Sequence, residues 1–423
     1  MKLSIDKLTV NILWINSCIF YVGFILGPGF YRVNPAYFLT TDLIVYKVII
    51  FFLLTMLFLL RLRDGTILQR ASLFYGFILL VGTYAFLVGL AYGNSFRYML
   101  AHIGNFYVFF MGVFFATSIN LDSRYLFENA KKYVDLIGVI SIISLLWTIV
   151  NQEPGAVFSF GLYGLGIPLA YYIVNGNNAL SVFYVIMSIF SGKRALFLAA
   201  ILIFFMPSSR IKKVERSGKG LATVKALLVN ALVFLALYTI DGDLGNKAVG
   251  NISSRVATHG EENGSNAVMA IDVVSSGRLT DINSVISTLK DQDKLISGMG
   301  YGAAYDSYAY SSTFQYASIG QSSSWYKSGS DIQPAHYILQ YGVILGGAIY
   351  LFHIIFLFYS IVKSKNQKWY RFLTLLYMYY LVASLFTFIP ADPVWGMLIG
   401  MLLKCGFDRG GLHVIRMRNA RHV

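Results

Sequence analysis

Two guanidinium groups and one imidazole are the side chains of this chain best suited to chemistry. Arg194 ends the run Ser191-Gly192-Lys193-Arg194 between two short apolar stretches, Arg278 follows Ser276-Gly277 where a helical pattern begins, and His336 follows Pro334-Ala335 at the mouth of a long apolar run. A planar guanidinium matches phosphate oxygens through paired hydrogen bonds. An imidazole can accept a proton near neutral pH. Arginine at hydrocarbon depth costs about 2.5 to 3.5 kcal/mol on insertion scales and therefore needs a partner. No carboxylate lies beside Arg194 in the sequence, and Lys193 adds a second cation. A lipid-linked diphosphate would meet that need. The competing accounts are a structural ion pair or a side chain snorkelling to the headgroups for the arginines, and an interface or capping residue for the histidine.

Weaker candidates lie on the same side of the chain's topology. His102 stands one turn into an apolar run, Asp392 sits in Pro390-Ala391-Asp392-Pro393, and Arg32 and Arg97 fall in short connections. A turn between two helices explains Asp392 equally well, and a packing role explains His102.

The elements that position these residues are apolar helices. Hydrophobic residues make up 57% of 423 and charged residues 13%, with a mean hydropathy of +0.62. That composition exceeds what the core of a soluble globule of this length requires. The expected fold is an all-α polytopic membrane protein. About twelve apolar runs are long enough, or nearly so, to cross roughly 30 Å of hydrocarbon as helix. They fall at 10–26, 43–60, 71–92, 99–119, 134–150, 157–174, 179–190, 195–206, 226–240, 337–362, 372–389 and 394–407. The runs at 179–190 and 195–206 rise only about 18 Å each at roughly 1.5 Å per residue. The Ser191 to Arg194 connection is therefore expected to sit in a protein-lined dent below the headgroups.

Lysine and arginine set the orientation, because positively charged short loops remain cytoplasmic. With both termini inside, the cytoplasmic connections hold Arg61, Arg63 and Arg70, then Arg124, Lys131 and Lys132, and the dense set Arg210, Lys212, Lys213, Arg216, Lys219 and Lys225. The outward short loops hold only Arg32, Arg97 and the Lys193/Arg194 pair. The net charge of +14 is thus mostly topology. A nucleic-acid partner would call for a basic patch on a soluble unit, and no such unit is present. Cys18 and Cys405 both fall inside apolar runs, so neither a disulfide framework nor a cysteine metal site is expected.

Four regions follow: crossings over 1–240, one long polar segment over 241–334 outside the cytoplasm, further crossings over 335–407, and a basic cytoplasmic tail over 408–423. Within the polar segment, Ile282, Val285, Ile286 and Leu289 recur at helical spacing, which predicts an amphipathic helix over 278–296. Its start leaves backbone N–H groups suited to an anion. Beyond it come Gly298, Gly300 and Gly302, then aromatic residues among serines, of which Tyr301, Tyr305, Trp325 and Tyr326 are candidates to contact sugar rings. The bland alternative is a loop whose tyrosines pack on one another.

The order Ser191-Gly192-Lys193-Arg194-Ala195-Leu196, Ser276-Gly277-Arg278, Gly298-Met299-Gly300-Tyr301-Gly302 and then His336 leading into Gly342, Gly346 and Gly347 resembles the O-antigen polymerase and O-antigen ligase superfamily. These are bacterial membrane glycosyltransferases of the GT-C type, and many carry Asn where this chain has Tyr337. The resemblance implies an inner-membrane enzyme whose long loop is periplasmic. Arg194 and Arg278, with Lys193, would hold the diphosphate of an undecaprenyl-diphosphate-linked oligosaccharide, and His336 would help activate the acceptor hydroxyl. It implies no metal and no cofactor. Its partners would be lipid-linked oligosaccharides, membrane lipids, and the chain-length regulator and flippase of the same pathway, with no nucleic acid. A polymerase is favoured over a ligase that delivers glycan to lipid A core. A flippase or other transporter of the same lipid-linked sugar is the alternative from another class, disfavoured because no half-to-half repeat is evident.

Overall fold

The computed structural model describes residues 5–31, 42–64, 72–150, 160–191, 194–206, 278–307, 325–328, 332–364, 367–385 and 393–408. Its architecture is mostly helical. In chain order the helices are α1 (Ile5–Tyr31), α2 (Asp42–Asp64), α3 (Ser72–Ala91), α4 (Phe96–Ser118), α5 (Ser123–Val150), α6 (Gly166–Asn175), α7 (Asn178–Phe190), α8 (Arg194–Phe205), α9 (Arg278–Asp291), α10 (Gln333–Lys363), α11 (Lys368–Ser384) and α12 (Pro393–Asp408). A short antiparallel ribbon, β1 (Ala304–Ser307) with β2 (Trp325–Ser328), lies between α9 and α10 in the sequence and pairs Tyr305 with Lys327. Among the described residues three helices are long and apolar enough to cross a membrane: Leu73–Ala91, Tyr98–Ser118 and Gln333–Lys363. Shorter apolar helices stand at Val48–Arg61, Asn178–Ser188, Leu196–Phe205 and Pro393–Lys404.

Exposed apolar stripes mark the outside of this bundle. Leu73, Phe77, Leu80 and Leu87 on α3, and Leu351, Ile355, Phe358 and Val362 on α10, are all exposed. In water such surface would be a liability; against acyl chains it needs no covering.

Two predicted segments take a different form. The apolar run at 157–174 is not one crossing helix. It contains a 3₁₀ turn over Phe160–Leu165 and then the ten-residue α6. Pro168 lacks an N–H donor and fits only the first turn of a helix, which fixes the start of α6 close before it. The amphipathic helix ends at Asp291 rather than 296, because Asp293 takes a left-handed conformation (φ 56°). There Asp293 N–H donates to Lys290 O at 3.0 Å and Lys294 N–H to Leu289 O at 2.7 Å, a Schellman ending built on aspartate. The predicted crossing at 226–240 lies outside the described residues.

Packing follows small residues where helices come closest. α4 lies along α12, and the Gly396/Gly400 pair lets the backbones approach so nearly that a Cβ at either position would strike the carbonyl oxygens of Phe109 or Val113. α11 packs against α6, α8, α10 and α12 and is buried along most of its length. Buried polar groups tie the bundle together: the Tyr21 and Tyr380 hydroxyls meet at 2.6 Å, and Arg61 on α2 pairs with Asp6 on α1 while donating to Thr9 Oγ1 at 3.0 Å.

α10 is broken at Gly342 (φ 80°, ψ 171°). In an unbroken helix the carbonyls of Leu339 and Gln340 would accept from residues 343 and 344. Instead the loop after α9 supplies the donors: Met299 N–H reaches Leu339 O at 2.8 Å and Gly300 N–H reaches Gln340 O at 3.0 Å. The exchange is reciprocal, since Val343 N–H donates to Leu295 O at 2.9 Å. The same loop is stitched to α3, where Tyr301 N–H donates to Ala85 O at 2.8 Å and Tyr84 Oη to Ser297 O at 2.9 Å. Gly300 (φ 73°) presses against the backbone of Ala85 and Gly89, which leaves no room for a side chain. The glycine run is therefore an interlock between backbones.

Asn94 completes this stitch by donating its amide to Met299 O at 2.7 Å and Tyr301 O at 2.8 Å. Removing both bonds strands two carbonyls in a buried turn. Asn94→Ala should lose about 1 to 3 kcal/mol of stability, read as a lower thermal midpoint of the detergent-purified protein. An unchanged midpoint would show that the two carbonyls find other donors.

Candidate functional site

The interlock forms one end of a cavity of about 370 Å³. Its walls are mostly apolar, with Phe74, Phe77 and Val81 from α3, Phe106 and Phe109 from α4, and Ile349 and Phe352 from the second half of α10. Polar groups come from the first half of α10 (His336, Tyr337, Gln340 and Tyr341), from its second half (His353), from α4 (His102 and Asn105) and from the loop (Tyr301). The i, i+4 spacing of α10 turns His336 and Gln340 to one line and Tyr337 and Tyr341 to a neighbouring one.

At the centre are two imidazoles joined by one amide. Gln340 Nε2 is 2.8 Å from His336 Nε2 and 3.1 Å from His102 Nδ1, and the two rings stand edge to face with centroids 5.2 Å apart. A backbone donor fixes the proton count. Gly302 N–H, presented by the loop, donates to His102 Nδ1 at 2.9 Å, so that nitrogen offers a lone pair and the ring carries its proton on Nε2. An amide oxygen facing the same lone pair would be repelled, so Gln340 turns its NH₂ there. The other hydrogen of that NH₂ then faces His336 Nε2, and an imidazole that accepts at Nε2 carries its proton on Nδ1.

His336, Gln340 and Tyr341 are buried, while His102 is half-buried. Burial raises the phenol of Tyr301 above its ordinary range, so it remains a neutral hydroxyl beside Tyr341 Oη at 3.5 Å. A second polar line passes through Tyr337 and His353, which also line the cavity. Gln333 Nε2 donates to Tyr337 Oη at 2.7 Å, Tyr337 Oη lies 3.5 Å from His353 Nε2, and His353 Nδ1 meets Tyr377 Oη at 2.8 Å.

A scan against protein-family models and a search of curated proteins give no match.

The positions singled out in the sequence divide three ways. His336, His102 and Tyr301 come together at the cavity. Tyr305 does not: it is fully buried beneath α9 and α10 with Val285, Leu289, Ile332 and Leu339, so its ring fills a core rather than facing a sugar. The remaining candidates lie outside the described side chains. Arg278 opens α9, Arg194 opens α8, Arg97 is in the first turn of α4, and Trp325 and Tyr326 form part of β2, in each case as backbone only. Lys193, Arg32 and Asp392 are outside the described residues altogether. α9 packs directly on α10, whereas α8 packs on α6, α7 and α11.

Gln340, Tyr341 and His353 were not among the residues marked out by type and spacing. Their signal was present: a glutamine four residues after the histidine, and a histidine inside an apolar run, where an ionisable group is costly and points to function. Among the described residues no group of three or more His, Cys, Asp or Glu could hold a metal ion.

Proposed function

We propose that this chain is a polyprenyl-diphosphate-dependent glycosyltransferase, an O-antigen polymerase that joins a growing surface glycan to the next lipid-linked repeat unit. The observation that carries this reading is the His102–Gln340–His336 cluster lining a mostly apolar cavity, joined by Gly302 N–H from a loop of the long polar segment. In this reading about twelve crossings in a GT-C arrangement span the bacterial inner membrane. The 241–334 segment faces the periplasm, and both termini are cytoplasmic.

The chemistry is a displacement at the anomeric carbon of the donor. The bond from that carbon to the diphosphate oxygen breaks, the diphosphate leaves with the electron pair, and the acceptor hydroxyl oxygen forms the new bond. His336 takes the hydroxyl proton as general base. Arg278 and Arg194, with Lys193, neutralise the departing diphosphate, the electrostatic contribution expected to be largest. The lipid diphosphate is already an activated leaving group, so no nucleotide sugar is needed. Tyrosines of the segment hold sugars and exclude water from the intermediate state.

The test is the lipopolysaccharide of a deletion strain. Core carrying a single repeat unit supports the polymerase; bare core with accumulated lipid-linked polymer would replace it by a ligase, and an unaltered ladder would end the reading. Arg278→Ala and Arg194→Ala, expressed at normal levels, should reproduce the deletion pattern. Full-length ladders from both would remove the arginines from the site.

A further inference from the structure

We propose that Gln340 is a positioning residue that sets the proton of His336, ties it to His102, and keeps both rings neutral until an acceptor arrives. The inference rests on the reading of His336 as the base, and it adds the residue that governs when that base is available.

The argument is one of donors and lone pairs. A neutral imidazole has a single in-plane lone pair. For His336 that lone pair is on Nε2, where Gln340 Nε2–H already donates at 2.8 Å. For His102 it is on Nδ1, where Gly302 N–H donates at 2.9 Å and Gln340 at 3.1 Å. Protonating either ring at the contacted nitrogen would set N–H against N–H. The clamp thus belongs to the higher-pH form and is lost as either ring charges.

An acceptor hydroxyl must take the place of the Gln340 N–H at His336 Nε2 before its proton can move there. After the transfer, Nε2 carries a hydrogen and needs an acceptor. Rotating the Gln340 amide by half a turn presents Oε1 to it; that oxygen would also face the His102 Nδ1 lone pair, so the turn releases His102 from the amide and leaves it to Gly302 N–H. The same side chain therefore guards the base when neutral and receives it when charged.

Among the described residues, other titratable groups around the pair are few. The loop contributes Tyr301, α10 contributes Tyr337, Tyr341 and His353, and Tyr305 of β1 lies in the neighbouring core with Ala335. The part of α3 lining the cavity is apolar, through Phe74, Phe77, Ile78 and Val81, and Ile399 is the lining residue of α12. The cations on or beside these elements are Lys290 of α9, Lys294 of the loop, whose ammonium lies over the Tyr92 ring at 3.9 Å, Lys363 at the far end of α10 and Lys404 of α12, with Arg97 on α4 and Arg278 on α9 as backbone positions.

Magic-angle-spinning NMR of ¹⁵N-histidine-labelled full-length protein in lipid bilayers reads the tautomers directly. The chain has six histidines, so single His→Gln variants assign the signals. At neutral pH, His336 is expected as the Nδ1–H form and His102 as the Nε2–H form. Gln340→Met, close in volume but without donors, should convert His336 to a mixture of tautomers. In polymerisation of purified lipid-linked repeat units it should lower kcat about tenfold or more with little change in KM, as a misplaced imidazole proton does. Gln340→Glu should raise the midpoint of His336 titration by about one unit or more, because a carboxylate favours the imidazolium, and move the acidic limb of the rate profile with it. An Nε2–H tautomer of His336 in the wild type, or tautomers unmoved in a folded Gln340→Met protein, would overturn the clamp. Should Gln340→Met fail to fold, the wild-type tautomers alone decide it. Tautomers as expected in a protein that makes no polymer from lipid-linked repeats would overturn the glycosyl-transfer reading while leaving the clamp in place.

Discussion

Replacing His336 by alanine is expected to lower polymer formation by about 10² to 10⁴-fold, the range for loss of a positioned general base. In cells the lipopolysaccharide should collapse to core bearing a single repeat unit. The side chain is 3% exposed and lies against Gln340, so a fold defect must be separated from a chemical one. His336→Gln serves that purpose, since it retains polar contacts within the cluster but cannot accept a proton near neutral pH. Equal losses in both variants, with thermal midpoints within a few degrees of the wild type, would establish a chemical role. Full activity in His336→Gln would remove proton transfer from this position.

Gly342→Ala is expected to be nearly as damaging, through the backbone alone. With φ 80° and ψ 171°, Gly342 occupies a region that residues with a Cβ rarely enter, at a cost of about 1 to 3 kcal/mol. The added methyl would also land on the Ile296 carbonyl oxygen and crowd Gly298 N. Either α10 straightens, which evicts Met299 and Gly300 from the carbonyls they satisfy, or the loop withdraws and takes Gly302 N–H from His102. Both routes dismantle the histidine pair. The expected results are a lower thermal midpoint, protease cleavage between 292 and 304, and no polymer. A stable, active Gly342→Ala protein would mean that the break is incidental.

The course of the helices was legible because apolar runs of this length leave the backbone few alternatives. The runs at 10–26, 43–60 and 134–150 fall inside α1, α2 and α5. What could not be read was how one segment satisfies another. Gly342 stood as one of several glycines in an apolar run, and Gly298, Gly300 and Gly302 stood only as a run that follows a helix; only their pairing shows that the break and the loop answer each other. The same limit explains the site. His336 announced itself by standing at a helix mouth, but Gln340 gains its role from two nitrogens, one of them 238 residues away in sequence. Tyr305 misled for the opposite reason. Aromatic residues among serines look alike whether they face a ligand or a core, and burial under Val285 and Leu289 is a tertiary fact.

The shared hydrogen bonds between α10 and the loop after α9 also constrain how such proteins can be recombined. Each side carries donors or carbonyls that only the other completes, so neither is a freestanding module. A graft of the polar segment onto another bundle would import four backbone donors, at Met299, Gly300, Tyr301 and Gly302, without their recipients, and leave the host's own helix either continuous or unfilled. The natural unit of exchange runs from α9 to beyond Gly342, with α3 as its fitted seat.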